Sequence, residues 1–426
     1  MVLYAKINIW DELAGVVSWN ERSGIANFEY DKKFISKAWE LSPLKMPLKY
    51  GAVYSFPALN RETYKGLPGL LADSLPDKFG NALINKWLAE QGRSADSYNS
   101  IERLLYQGKR GMGALEFEPA ERFISNASSK IELQSLIEVA QRALSDKAEL
   151  NTGLQDEEDL KQIIKVGTSA GGARAKAVIA YNQKTGEIRS GQLNAPDGFT
   201  HWLIKLDGVT NQNLGDPEHF GQIEYAYYQM AKECGIEMSE SHLLKENNRH
   251  HFLTRRFDRT DSGEKLHLQT LCGLAHFDFN MPGYYSYEQL FQTMRDLRLP
   301  YSAMEQMYKR MIFNVVARNQ DDHAKNFSFL MDKNGIWQLA PAYDMTFAYN
   351  STGNFTSQHQ LSINGKCDGF TRQDLLHFAE QMGVKKSKNI IEEVISVVAN
   401  WAKYAENIGI SDKITELIGK THRLNL

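Results

Sequence analysis

The run Asn319-Gln-Asp-Asp-His-Ala-Lys-Asn326, followed by Trp337-Gln-Leu-Ala-Pro-Ala-Tyr-Asp344, crowds side-chain oxygens into a segment too short to be a solvated helix face. Apolar periodicity at Met304, Met307, Tyr308, Met311, Ile312 and Val315 predicts a helix that runs out just before it. A loop is expected there. Asp321 and Asn326 stand five apart, the spacing with which a phosphotransfer loop places a base for an acceptor hydroxyl and an amide oxygen for Mg²⁺. Phe327-Ser-Phe-Leu and Trp337-Gln-Leu read as short strands, joined through the Asn-Gly turn of Asp332-Lys-Asn-Gly335. A hairpin of this kind returns Asp344 beside Asn326. A carboxylate and an amide oxygen converging from two loops suit a hard cation that keeps several waters and binds nucleotide phosphates. The bland alternative is an Asx-rich turn with a structural aspartate.

Three further stretches could serve the same chemistry. Val166-Gly-Thr-Ser-Ala-Gly-Gly-Ala-Arg-Ala-Lys176 has no bulky side chain to keep backbone N–H groups from a polyphosphate, which singles out Ser169, Ala170, Gly171 and Gly172. A flexible hairpin reads equally well. Thr200-His-Trp-Leu-Ile-Lys-Leu206 is an apolar strand with one ammonium, at Lys205, and the helix expected from about His219 to Glu233 offers Glu224 near its start. The ordinary alternatives are an edge-strand charge and a helix N-terminal acid. In His251-Phe-Leu-Thr-Arg-Arg-Phe-Asp-Arg259 an apolar strand passes into charge. There the backbone of Arg255, Arg256 and Phe257 could face an adenine, or the strand could simply end in ion pairs. By contrast Gln107-Gly-Lys-Arg-Gly-Met-Gly113 lacks the Lys-Ser/Thr of a phosphate loop and reads as a tight turn before the strand Ala114–Glu118.

The elements that must position these groups follow from patterning. Residues 3 to 30 alternate in strand fashion with turn residues between, so the chain opens on a small antiparallel sheet. Leu83, Ile84, Trp87 and Leu88 mark a helix, with Ser74 and Asp77 as its capping residues. An amphipathic pattern from Ser128 to Leu150 and the polar run from Asn151 suggest a boundary. Beyond residue 259 the pattern is helical at Tyr287–Leu297, Leu375–Met382 and Ile390–Trp401. The organisation expected is α+β in three parts: 1–150, a β-rich front with linking helices; 151–258, a mixed sheet with a phosphate loop; and 259–426, mainly helical, with the acidic loops at its head.

Composition bounds the function. At 24% charged, 42% hydrophobic and a net charge of -3, the chain has no global basic field for nucleic acid. Its three cysteines form neither a metal motif nor a disulfide framework, which suits a reducing compartment. No run approaches the roughly 18 apolar residues of a spanning helix, and cytoplasmic residence is expected.

The run N-x-D-D-H-x-K-N-x-S-F followed by W-x-L-A-P-A-Y-D resembles the signature of the HipA family, the Ser/Thr kinase toxins of bacterial toxin–antitoxin modules. Leu67–Asp77, Gly111-Met-Gly-Ala-Leu, Thr168–Lys176, Thr200–Lys205, Glu224-Tyr-Ala-Tyr-Tyr and Arg256-Phe-Asp-Arg259 fall in the family's order. The resemblance implies a two-lobed protein-kinase-like fold that uses ATP and Mg²⁺. It makes Asp321 the catalytic base, gives Asn326 and Asp344 to the metal, and Lys205, His323, the loop Ser169–Gly172 and the hinge Arg255–Phe257 to ATP. Ser169 matches a loop serine whose autophosphorylation switches such kinases off. A translation protein such as an aminoacyl-tRNA synthetase would be the target. A helix-turn-helix antitoxin would be the partner, with DNA reached only through it. Arg174 and Ala175 depart from the family's polar loop residues, and Leu268–Gly273 replaces its acidic stretch. A small-molecule phosphotransferase and a catalytically silent corepressor are the rival readings.

Overall fold

The computed structural model describes residues 4–120, 130–131, 133–144, 174–190, 195–209 and 219–426. Ser169, Ala170, Gly171 and Gly172 lie outside the described residues. The chain divides into two compact units. The first comprises Met1–Leu41, Leu48–Glu218 and Leu244–Leu268, and the second Ser42–Pro47, His219–Leu243 and Gln269–Leu426.

The first unit opens on strands β1 (Tyr4–Ile9), β2 (Glu12–Asn20), β3 (Ile25–Tyr30), β4 (Val53–Tyr54) and β5 (Leu115–Glu118), in the order β4-β3-β2-β1-β5. Alternation buries Ala5, Ile7 and Ile9 on one face, where Ala5 faces Val17 and Ile7 faces Phe117. The expected opening sheet is therefore present, but it is completed by a strand that arrives some hundred residues later. The helix Lys78–Glu90 is capped by Asp77 alone, whose Oδ1 accepts from the Gly80 amide at 2.6 Å. Ser74, expected to share that role, lies outside the helix because Pro76 disfavours helical backbone at the residue before it.

A second sheet contains β6 (Lys176–Tyr181), β7 (Ile188–Ser190), β8 (Thr200–Lys205), β9 (Ser241–Glu246) and β10 (Arg249–Arg255), ordered β7-β6-β8-β10-β9. Ala177 pairs with Ile204 and Ile179 with Trp202, so these four share one face. That face joins Phe79, Leu83, Ile84 and Trp87 of the helix Lys78–Glu90, and Leu136, Ile137 and Ala140 of the helix Leu133–Leu144, in one core. Burying the Trp202 ring alone contributes on the order of 2–3 kcal/mol. Lys205 is on the opposite face, flanked across the strands by Lys176 and Phe252.

The turn at Gly111–Gly113 is fixed by charge. Asp258 is fully buried and accepts from Arg256 Nε at 2.8 Å and Nη2 at 2.6 Å, from Arg259 Nη1 at 2.8 Å and from the Gly113 amide at 2.7 Å. The same arginines donate to the Gly111 and Gly113 carbonyls. Gly113 has φ 75°, and a Cβ there would stand 3.1 Å from the Leu268 amide nitrogen, so a side chain is excluded twice over.

The second unit is mainly helical, with helices at Phe220–Glu233, Tyr287–Asp296, Tyr301–Val316, Arg372–Met382, Ser387–Val398, Trp401–Ile408 and Asp412–Gly419. Its hairpin pairs Ser328–Met331 with Trp337–Leu339, and Gly335 takes φ 76° in the turn, as the Asn-Gly pair requires. Among the described residues no helix is long and apolar enough to cross a membrane.

Buried histidines give the fold a pH dependence. Burial holds His267 down at about 4 while its Nε2–H donates to the Leu41 carbonyl; His276 and His422 are likewise lowered to about 4, by burial and by nearby Lys45 and Arg318 respectively. The unfolded chain takes up these protons first, as pH falls through about 6.5, so stability is lost from there down toward pH 4. Unfolding free energies from urea titrations between pH 6.5 and 5 should fall by up to about 1.4 kcal/mol per histidine per pH unit. His267→Gln, which keeps a donor for Leu41 but cannot titrate, should remove one histidine's share of that slope; an unchanged slope would show that His267 does not stay neutral.

Candidate active site

The helix Tyr301–Val316 delivers the acidic loop. Its buried residues include Met304, Met307, Tyr308, Met311, Ile312 and Val315, the periodic set read from the sequence. At its exit Arg318 adopts φ 59°, and a short 3-10 turn at Ala324–Asn326 closes the loop. The two adjacent aspartates part company. The side chain of Asp321 is 48% exposed, whereas that of Asp322 is fully buried.

Asp322 is the anchor. Its Oδ2 accepts from the Tyr287 hydroxyl at 2.8 Å and sits 2.8 Å from His359 Nδ1, and its Oδ1 accepts from the Gln360 amide at 2.7 Å. The Tyr287 hydroxyl accepts in turn from Asn314 Nδ2 at 3.1 Å, and Asn314 Oδ1 accepts from Asn319 Nδ2 at 2.9 Å. A directed relay of donors thus runs from the head of the loop to the carboxylate. Burial and the Asp322 charge push the Tyr287 hydroxyl well above its ordinary pKa, so it remains a donor.

Around Asp321 the geometry is local. His323 Nε2 lies 3.8 Å from Asp321 Oδ1, and the imidazole packs against the Phe279 ring with centroids 5.4 Å apart. Lys325 holds its Nζ 4.4 Å from the same ring. Asn326 Nδ2 donates to the Asp321 carbonyl at 2.6 Å, which turns the amide oxygen away from that carbonyl.

The loop bearing Asp344 is pinned on both sides. The Ala340 amide donates to Ser328 O at 3.0 Å, and the Ala342 amide to Glu237 O at 2.8 Å. Ala348 exchanges bonds of 3.1 Å with Arg318 O and the Gln320 amide. The Tyr343 hydroxyl donates to Lys325 O at 2.6 Å, so the neighbour of Asp344 is fastened to the neighbour of Asn326. Asp344 itself has φ 51°, a left-handed conformation costing a non-glycine residue roughly 1–2 kcal/mol, and such conformations persist only where the surroundings over-determine them. Among the described residues no group of three or more His, Cys, Asp or Glu is placed to hold a metal ion. The donor chemistry of an amide oxygen and a carboxylate matches a hard cation that keeps water and phosphate ligands better than a zinc-type cage.

Lys205 and Arg255–Phe257, also singled out by sequence, lie in the first unit. Lys205 ends β8, with its Nζ 5.7 Å from the Phe252 ring centroid. Arg255 ends β10 and pairs with Asp261 at 2.6 Å. Arg256 donates its backbone N–H to His201 O at 2.9 Å and gives its guanidinium to Asp258, and Phe257 follows it. Glu224 is buried in the helix Phe220–Glu233 of the second unit. Sequence reasoning passed over Asp322, Tyr287, His359 and Tyr343. Asp322 was in the motif but indistinguishable from its neighbour, and Tyr287 reads as one more apolar position of its helix.

These loops and sheets define an α+β, kinase-like fold. Comparison with known proteins specifies it further: residues 5–118 match the HipA N-terminal domain and residues 168–402 the HipA-like C-terminal domain. The chain belongs to the HipA family. It resembles a putative kinase of Haemophilus influenzae, 26% identical over 215 residues, which are 43% of this chain and 62% of that protein. It also resembles the serine/threonine-protein kinase toxin HipA of Shewanella oneidensis, 24% identical over 224 residues, 47% of either chain. In these alignments the chain spans less than two thirds of either relative. The solved complex of Shewanella oneidensis MR-1 HipA with HipB and operator DNA superposes with a TM-score of 0.67 over 98% of this chain and 94% of that one; at 19% identity the likeness is one of fold.

The burial contrast gives a direct test. Asp322→Asn should cost about 2–3 kcal/mol in urea unfolding, because one acceptor atom is lost among three donors. It should also speed hydrogen exchange of amides 319–326. Asp321→Asn, at a half-exposed position, should change stability by less than about 0.5 kcal/mol. Equal costs for the two variants would contradict the anchor role.

Proposed function

We propose that this chain is an ATP- and Mg²⁺-dependent Ser/Thr protein kinase of the HipA type. The observation that carries the reading is the arrangement of one loop: Asp322 locked inside, Asp321 left half exposed beside it, and Asn326 bonded to the carbonyl of Asp321 itself. A base for an acceptor hydroxyl must be reachable yet held in place, and this loop meets both demands.

In this reading Asp321 orients the hydroxyl and accepts its proton. Lys205 offsets charge on the phosphates, Ser169–Gly172 present backbone N–H groups to them, and Arg255–Phe257 with His323 complete the nucleotide contacts. Asn326 and Asp344 would hold Mg²⁺, which when bound neutralises charge on the transferring phosphoryl group. Ser169 is the autophosphorylation site that turns the enzyme off. The acceptor is a cytoplasmic protein of translation, and a helix-turn-helix antitoxin like the HipB of the Shewanella complex is the partner that carries the DNA contacts.

Incubation of the purified chain with γ-labelled ATP, alone and with cell extract, tests this. Label is expected on Ser169 and on at least one extract protein. Asp321→Ala should lower transfer by about 10²–10⁴-fold while ATP binding, measured calorimetrically, stays within a few-fold. Label confined to a low-molecular-weight fraction would replace the reading with a small-molecule phosphotransferase. No nucleotide binding and no labelled product would leave the corepressor.

A further inference from the structure

The exit of the helix Tyr301–Val316 is fastened by a segment remote in sequence. The Arg423 amide donates to Val316 O at 2.9 Å, and Arg318 Nε donates to Thr421 O at 2.9 Å across 103 positions. Between these two, the Tyr227 hydroxyl donates to Ala317 O at 2.7 Å and lies 3.0 Å from His422 Nε2. The hydroxyl has a single proton, already given to Ala317, so His422 must be the donor to it through Nε2–H. The helix-end carbonyls of Val316 and Ala317 are thus met by the Arg423 amide and the Tyr227 hydroxyl, while the Thr421 carbonyl accepts from Arg318. The backbone so fixed continues directly into Asn319–Asp321.

The Arg423 side chain goes further. It forms an ion pair with Asp368, which also lies 3.6 Å from Arg318 Nη1, and its guanidinium carbon stands 5.5 Å from the Phe370 ring centroid. Its Nη1 is 3.5 Å from His359 Nε2. A guanidinium can only donate, so Nε2 of His359 must be the bare nitrogen and the proton must sit on Nδ1, pointed at Asp322. The other groups facing His359 are the Phe370 ring, at 5.3 Å between centroids, and Cys367, whose carbonyl accepts the His359 amide. Neither competes for the ring nitrogens.

We infer that Thr421–Arg423 is a strap that positions the loop bearing Asp321, and that Arg423 is a positioning residue. By facing Nε2 of His359 it directs the ring's Nδ1–H to Asp322 and so holds that carboxylate. The inference rests on the kinase reading only for the meaning of Asp321; the strap itself is a statement about the loop.

The test compares Arg423→Ala and Arg423→Lys with the unaltered full chain. Selective ¹⁵N-histidine NMR at neutral pH should show the Nδ1–H tautomer of His359 in the unaltered chain. In Arg423→Ala, with the guanidinium gone, the tautomer preference of His359 should be lost. Amides 319–326 should exchange faster in Arg423→Ala, and kcat for phosphoryl transfer should fall about 10–100-fold with KM for ATP within about three-fold. Arg423→Lys, which keeps the charge but loses the planar fork, should lie between and remains measurable if the alanine variant fails to fold. An unaltered chain that transfers no phosphate would defeat the kinase reading while the NMR and exchange comparisons still judged the strap. A His359 tautomer and loop exchange indifferent to both substitutions would overturn the strap.

Discussion

A carboxylate taken completely out of water must be met by hydrogen-bond donors, and Asp322 finds them in a phenol, an imidazole and a backbone amide drawn from two separate segments, Tyr287 and His359–Gln360. Because those donors are themselves held, by Asn314 and by the packing of their elements, the loop has one position rather than several. The half exposure of Asp321 is then a consequence: in a loop pinned by the inward-facing member of an adjacent pair, the other member is left to the surface. The polar network does for this loop what an apolar core does for a helix, with the added demand that every member be satisfied.

The first unit uses the same device for a different end. Asp258, between Arg256 and Arg259, grips the Gly113 amide, and those arginines take the carbonyls of Gly111 and Gly113. Gly113 falls in the stretch that matches the HipA N-terminal domain and Asp258 in the one that matches the C-terminal domain. The helix Lys78–Glu90 of the former likewise shares a core with β6, β8 and β10 of the latter. The division of the sequence into family domains is therefore not a division of the packing. A turn that resembles a phosphate loop in composition is, in the folded chain, a joint between them, with its carbonyls committed to arginine.

Patterns of short range were legible. The alternation of residues 4–30, the apolar stripe of the helix Tyr301–Val316 and the Asn-Gly turn each depend on neighbours a few positions away, and each appears where its pattern places it. Asp321 and Asn326 could be picked out because a loop motif is itself local. What could not be read were contacts closed over long stretches: β5 against β1, Arg318 to Thr421, His359 to Asp322. Nothing in the surroundings of Arg423 or His359 distinguishes them from ordinary polar positions, since their meaning comes from partners elsewhere in the chain.

By itself, then, the sequence determined which residue types were available for chemistry, in what order and on what kind of element, because backbone geometry repeats at 2 and 3.6 residues and leaves that period in the apolar residues. Tertiary structure alone decided which of two adjacent aspartates would be buried. Two neighbouring carboxylates have the same intrinsic chemistry, and only the donors gathered from Tyr287, His359 and Gln360 make the interior habitable for one of them.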